Sequence, residues 1–198
     1  MMQDHTGEKA QKTANCDQNV SADSVSVTDP IVLIGMMGSG KSQLGRILAK
    51  TMGLPFIDSD TEFETAAGCA ITDYFERYGE AAFRTGEYKV MERLLDGTPK
   101  IIAAGGGVVT LPETRALLKT KATTIWLQAS VDVLVERTAG SNKRPLLQTG
   151  DPKEILTALL EKRAPLYEEV AAFAVSTDRA VGDEALNIIM KGLSSCPK

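Results

Sequence analysis

The sequence is poor in the residues on which much catalytic and metal chemistry relies. Among 198 residues there is one histidine, His5, near the start of the chain. That argues against a Ser-His-Asp or Cys-His nucleophile pair and against a histidine-ligated metal. The three cysteines, Cys16, Cys69 and Cys196, are odd in number and form no CxxC. A disulfide framework or zinc ribbon is therefore not expected, and unrelated free thiols in a reducing cytoplasm fit. No apolar run approaches the ~20 residues of a membrane helix. A basic excess is also missing: 22 Lys+Arg stand against 26 Asp+Glu, a net charge of −4. That disfavours nucleic-acid binding, although a local basic pocket remains open.

What is present reads as one soluble globular domain, 43% hydrophobic and 24% charged, able to bury a core without disulfides or metals. Residues 1–29 are polar and nearly devoid of large apolar side chains, so a disordered tail is expected there. The tail has no apolar h-region, carries acids and lacks arginine, unlike a secretory or organellar leader. A folded domain over 30–198, cytoplasmic and monomeric, is the expectation.

From Pro30 the pattern changes. Ile31–Ile34 is a short continuous apolar run, as in a strand buried on both faces. Leu44, Ile47, Leu48 and Met52 then recur at helical spacing until Gly53 and Pro55. Further strands are predicted at 55–57, 101–104, 123–128 and 173–176, with helices over 71–78, 80–95, after Thr110, after Ser130 to Thr138, after Asp151, and around Leu186–Leu193. Thr110 and Glu113 have capping-box spacing. Asp151-Pro-Lys-Glu154 supplies an N-cap acid with Pro at N1, and Pro165 predicts a kink or break. Trp126 reads as core rather than a base-stacking residue, and Phe75, Tyr78 and Phe83 read as core in preference to lining a substrate pocket. Strands alternating with helices mean an α/β fold: a five-stranded parallel sheet with helices on both faces. Ligands bind such sheets beyond the C-terminal strand ends, where Gly35–Ser42, Asp58–Asp60 and Gly105–Gly107 are expected to converge.

Gly35-Met-Met-Gly38-Ser39-Gly40-Lys41-Ser42 matches G-x-x-x-x-G-K-[ST], with a strand before it and an amphipathic helix after it. Such glycines let backbone N–H groups turn onto phosphates at a helix N-terminus. Lys41 brings a mobile cation, and the Ser42 hydroxyl can ligate Mg²⁺. A GTPase switch is disfavoured because Asn142-Lys143-Arg144-Pro145 puts Pro where a base-reading Asp belongs. An AAA-type motor is disfavoured because the third strand ends in glycines rather than acids. Asp58 and Asp60, two apart after a short strand, point the same way if extended, with a solvated turn or helix cap as the plainer alternative. One suits a magnesium-bound water and the other a substrate hydroxyl. Arg84, Arg144 and Arg163 are candidates for gripping a small anion, such as a carboxylate. Residues 140–151 have the composition of a mobile lid able to carry Arg144.

In this order the motifs resemble those of the shikimate kinase family: the P-loop, Asp58-Ser59-Asp60, Gly79-Glu-Ala-Ala-Phe83-Arg84, Gly105-Gly106-Gly107, Arg144-Pro-Leu-Leu147 and Arg163-Ala-Pro-Leu-Tyr167. The resemblance covers about residues 31–193. It implies a three-layer P-loop kinase fold with a lid. It also implies MgATP-dependent phosphorylation of the 3-hydroxyl of shikimate, on the route to chorismate and aromatic amino acids. The roles it implies place Gly38, Ser39, Gly40, Lys41, Ser42 and Gln43 on the ATP phosphates and Mg²⁺ on Ser42, with Asp58 reached through water. Asp60 becomes the candidate base and hydroxyl ligand. Arg84 and Arg163 take the shikimate carboxylate, and Gly105, Gly106 and Gly107 line the acceptor site. Arg144 closes on the phosphates, while Arg137 and Arg179 lie near adenine. Gln43 departs from the usual Thr or Ser, with little effect expected because its backbone N–H is retained. A gluconate or nucleotide kinase, or a non-catalytic module on the same fold, are the alternatives. Motif order favours shikimate, and the presence of Lys41, Asp60 and Arg144 disfavours loss of catalysis.

Overall fold

A computed structural model describes residues 27–139, 150–179 and 182–195. The expected tail, apart from residues 27–29, lies outside the described residues. So do most of the expected lid, with Arg144, and His5, Cys16 and Cys196.

Five strands form one parallel sheet: β1 (Ile31–Ile34), β2 (Phe56–Asp58), β3 (Ile101–Ala103), β4 (Thr123–Gln128) and β5 (Phe173–Ser176), in the order β2-β3-β1-β4-β5. Ile31 to Ile34 are all at 0% exposure, as expected of a central strand covered on both sides. Strand alternation then divides the core in two. Val32 and Ile34 face α3 (Ile71–Leu94), α4 (Pro112–Lys121), α5 (Val131–Thr138) and α6 (Pro152–Val170). Ile31 and Leu33 face α1 (Lys41–Met52) and α7 (Asp183–Ser195). Burying one such aliphatic side chain is worth ~1.5–3 kcal/mol, so β1 ties both layers to the sheet. In register, Leu33 and Asp58 both lie beside Ala103, which brings the ends of β1, β2 and β3 level. No helix among the described residues is long and apolar enough to cross a membrane.

Several expectations need correction. The chain after β2 does not stay extended: α2 (Ser59–Ala67) begins at once, with Asp58 as its N-cap accepting from the Asp60 N–H at 3.1 Å. The second strand ends at Asp58, one residue later than expected, and the third ends at Ala103, one earlier. Thr110 forms no capping box. Leu111 holds the N-cap position of α4, and the Thr110 hydroxyl instead donates to Gly107 O at 2.7 Å. Ser130 precedes α5 but its side chain makes no cap bond. Pro165 does not break α6, which runs through it to Val170. Pro165 and the carbonyl-bearing Glu161 four residues before it are both exposed, so water can serve the carbonyl that loses its N–H partner. Asp151 caps α6 as expected, accepting from the Lys153 N–H at 2.9 Å. Tyr78 is not core; it is 59% exposed. Trp126 is partly buried and packs on Tyr167, with ring centroids 5.6 Å apart.

The two helices expected around Gly79 meet there inside α3, where Gly79 has φ 75° and ψ 176°. A side chain is strained in that region whatever the space around it, typically by ~1–3 kcal/mol. The break turns the second half of α3 so that Phe83, Glu87, Val90, Met91 and Leu94 become its buried stripe. Gly79→Ala is therefore expected to lower the urea midpoint by an amount equivalent to about 1–3 kcal/mol, with an unchanged m-value. An unaltered midpoint would mean that the break carries no conformational demand.

Candidate active site

The loop after β1 turns with Gly38 at φ 82° and Gly40 at φ 88°, and α1 starts at Lys41. No side chain caps that helix and its first turn holds no acid, so its N-terminal N–H groups and partial positive charge face the open loop. Lys41 Nζ donates to Gly35 O and Met36 O, each at 2.9 Å, which folds the ammonium back along the loop. Ser39 is fully buried and does not line the cavity, and its hydroxyl has no hydrogen-bond partner among the described residues. Thr177, just past β5, donates to Ser39 O at 3.1 Å. Arg137, in the last turn of α5, donates to Thr177 O at 2.6 Å and Gly38 O at 3.5 Å. Arg137 thus buttresses the loop from behind while lining the cavity.

That cavity, about 710 Å³, is lined on one side by Gly38, Gly40, Lys41, Ser42 and Gln43, and on the other by Asp60, Phe75, Phe83, Arg84 and Arg163. Asp58 joins the two halves. Its Oδ2 accepts from the Ser42 hydroxyl at 2.7 Å and its Oδ1 from the Asp60 N–H. The convergence of Asp58 and Asp60 therefore comes from a helix cap, not from strand alternation. Ser42 and Asp58 offer adjacent hard oxygen donors. Such a set suits a magnesium ion that takes its remaining ligands from water and phosphate. No group of three or more His, Cys, Asp or Glu side chains fit for a metal occurs among the described residues.

Asp60 stands in the first turn of α2, reachable by water yet enclosed by the cleft. That enclosure, with the Asp58 carboxylate beside it, holds its carboxyl above the ordinary carboxylate range, against the pull of Lys41. The loop after β3 closes the floor. Gly105 N–H donates to the buried Ser59 hydroxyl at 3.0 Å, locking α2 to the loop. A Cβ on Gly105 would meet Asp60 Oδ1 at 2.6 Å, and one on Gly107 would meet Arg84 Cζ at 2.6 Å. Only a bare backbone lets these side chains stand where they do. Gly106 lies with its Cβ position 3.8 Å from Arg163 Nη1. Arg84 from α3 and Arg163 from α6 thus converge on the same three glycines.

Two residues packed against the site, Glu87 and Tyr167, have no role assigned to them from the sequence. Glu87 is 6% exposed and accepts from Arg84 at 2.8 Å, while Glu80 holds Arg84 from the solvent side at 3.2 Å. Burial pushes the Glu87 carboxyl up to about 7, although Arg84 opposes the rise. The i,i+3 spacing of Arg84 and Glu87 was the available signal. Tyr167, one turn after Arg163 on α6, is fully buried and donates to Gly106 O at 2.5 Å. Of the remaining candidates, Arg179 is exposed and does not line the cavity, and Arg144 lies outside the described residues.

Comparison with known proteins agrees with this geometry. The family model described as shikimate kinase matches residues 37–194. A shikimate kinase of Paramagnetospirillum magneticum is 51% identical over 163 residues, 82% of this chain and 83% of the relative. The structure of shikimate kinase from Acinetobacter baumannii in complex with shikimate is 37% identical with a TM-score of 0.83, covering 89% of this chain and 99% of that one. A gluconokinase from Sinorhizobium meliloti is 24% identical with a TM-score of 0.53, over 84% of this chain and 92% of that one, a likeness of fold alone.

Glu87 yields a pH prediction. Its carboxyl lies near 7 in the folded chain against 4.5 as the ordinary value. The folded state therefore holds the proton more tightly than the unfolded state. The stability this contributes is complete below pH 4.5 and is lost as pH rises through about 7. Relative to Glu87→Gln, the native chain is expected to lose at most ~3 kcal/mol across that window. Denaturant unfolding of both proteins from pH 4.5 to 8 measures it, and parallel curves would refute the assignment.

Proposed function

The chain belongs to the shikimate kinase family and is an ATP-dependent kinase; from that premise we propose how its residues divide the work of phosphorylating shikimate. The reaction moves the γ-phosphoryl group of ATP to the 3-hydroxyl, giving 3-phosphoshikimate and ADP. The observation that carries the division is the meeting of Arg84 and Arg163 at the Gly105–Gly107 loop, facing the phosphate loop across Asp60.

The loop N–H groups from Gly38 to Gln43 hold the phosphates, with the N-terminal charge of α1 behind them. Lys41 leaves its carbonyl partners for the transferring group, where charge spreads over the equatorial oxygens. The Ser42 hydroxyl would hold Mg²⁺, with Asp58 beside it facing the ion's water shell, and the ion would supply neutralisation of charge on the phosphate oxygens. Arg84 and Arg163 grip the acceptor carboxylate by charge-assisted hydrogen bonds. That grip leaves the hydroxyl end of the acceptor toward Asp60, which accepts its hydrogen bond and takes its proton. A carboxyl raised by enclosure is a stronger base than an ordinary one, which suits proton transfer late in a loose transition state. Arg144 is assigned to the phosphates by the family pattern, and Arg137 supports the phosphate loop.

Arg84→Ala and Arg163→Ala are expected to lower kcat/KM for shikimate by about ten- to a hundredfold each while KM for ATP stays unchanged. Loss of ATP affinity with shikimate binding intact would reverse the assignment. A coupled ADP assay measures both.

Asp60→Asn is expected to cost about 10²-fold or more in kcat with ATP still bound. Asp58→Asn is expected instead to require more Mg²⁺ for half-maximal rate. If added Mg²⁺ restored the Asp60 variant and not the Asp58 variant, the two roles would be exchanged.

A further inference from the structure

We propose that Tyr167 is a positioning residue for the acceptor: its hydroxyl fixes the Gly106–Gly107 peptide so that this peptide presents its N–H to the acceptor beside Arg163. The inference rests on the acceptor reading above.

Tyr167 does not line the cavity. It sits behind the glycine loop in the layer between the sheet and α6, fully buried, its ring against Trp126 of β4 and its oxygen 3.7 Å from Met36 Sδ. From there the hydroxyl donates to Gly106 O at 2.5 Å. A trans peptide is planar, with its C=O and following N–H on opposite sides. Holding Gly106 O toward the buried Tyr167 therefore turns the Gly107 N–H the other way, to the side of the cavity that Gly107 lines. Gly107 O is committed elsewhere, accepting from the Thr110 N–H and hydroxyl. The Tyr167 hydroxyl thus holds the Gly106–Gly107 peptide, and Thr110 holds the peptide that follows it.

The same residue links three parts of the site. Gly106 has its Cβ position 3.5 Å from Gly35 O and Met37 N on the phosphate loop, and 3.8 Å from Arg163 Nη1. Tyr167 and Arg163 are four residues apart on α6 and share a face. Any shift of Gly106 is consequently felt by Arg163. Burial keeps the phenol protonated, pushed up to about 12, so it remains a donor at all working pH values. Without the hydroxyl, Gly106 O loses its donor, and the plane of the peptide is released.

Tyr167→Phe keeps the ring and removes the hydroxyl, and with it the bond to Gly106 O and the hydrogen bond shared with the Arg163 side chain. The expected result is a KM for shikimate raised about tenfold, equivalent to about 1.4 kcal/mol, with KM for ATP within twofold of the native value. Trp126→Phe serves as the packing control. It is expected to lower the melting temperature without raising KM for shikimate. An unchanged KM for shikimate in the folded Tyr167→Phe protein, or a parallel rise in both KM values, would overturn the inference. So would an equal rise in the Trp126 variant, because packing rather than the hydroxyl would then be responsible. A native chain with no shikimate-dependent ADP release would overturn the acceptor reading, and this inference with it. Normal native turnover with an unaffected Tyr167→Phe enzyme would overturn the inference alone.

Discussion

The constraint on which the site depends is that three successive residues at the end of β3 carry no side chain. Gly105 leaves room for Asp60 and Glu87, Gly107 for Arg84, and Gly106 lies between the phosphate loop and Arg163. A methyl group at either outer position would fall well inside van der Waals contact with a charged group, so the charges would have to retreat. The glycines are equally constrained by their surroundings. The Ser59 hydroxyl, the Tyr167 hydroxyl and the Thr110 hydroxyl each bond one of the three residues. A flexible composition is thereby converted into a rigid floor. The level register of β1, β2 and β3 sets the height of this floor against the phosphate loop.

The electrostatics follow from this crowding. Lys41, Arg84 and Arg163 face Asp58, Asp60 and Glu87 within one cleft. The acids nearly offset the cations before any ligand arrives, which lowers the cost of enclosing unpaired charge. Two of these carboxyls, Asp60 and Glu87, are nonetheless held above their ordinary range, chiefly by burial. Cation and acid are thus paired imperfectly, and the arginines keep part of their charge available for an incoming anion. Glu80 adds a solvent-side hold on Arg84, so the guanidinium is oriented before substrate binds.

Much of this was legible in the sequence. β1 and β4 are found where predicted, because strands in the sheet interior are covered by helices and admit few alternatives; β5 is also found where predicted, although it is an edge strand. The P-loop was legible because its chemistry fixes both residue types and spacing. Where local signals competed, the reading failed. Asp58 and Asp60 share a direction only if the chain stays extended; the helix cap that is the alternative is what forms, because the same acids are good N-cap and first-turn residues. Thr110 had the spacing for a capping box, but the Gly107 carbonyl captured its hydroxyl. Glu87 carries one local signal, its i,i+3 spacing to Arg84, but no local pattern records its burial against Gly105 or the bond from Tyr167 to Gly106 O.

The division of labour within the cleft has a consequence for selectivity. The phosphate loop is served mainly by backbone N–H groups and Lys41, features that accept any nucleoside triphosphate tail of suitable charge. In the division proposed above, choice of acceptor falls instead to α3 and α6, through Arg84 and Arg163. Both guanidiniums are largely withdrawn from water: Arg84 retains 12% of its side-chain exposure and Arg163 8% overall. An acceptor lacking the carboxylate would leave them enclosed with no new partner, and sites built around buried polar groups reject such analogues far more strongly than apolar pockets reject a missing methylene. Water is the smallest analogue of all, because it offers a hydroxyl and no anion. It brings no anion to the pre-oriented arginines, so in the proposed division the pairing that selects a hydroxy acid gives water no comparable hold.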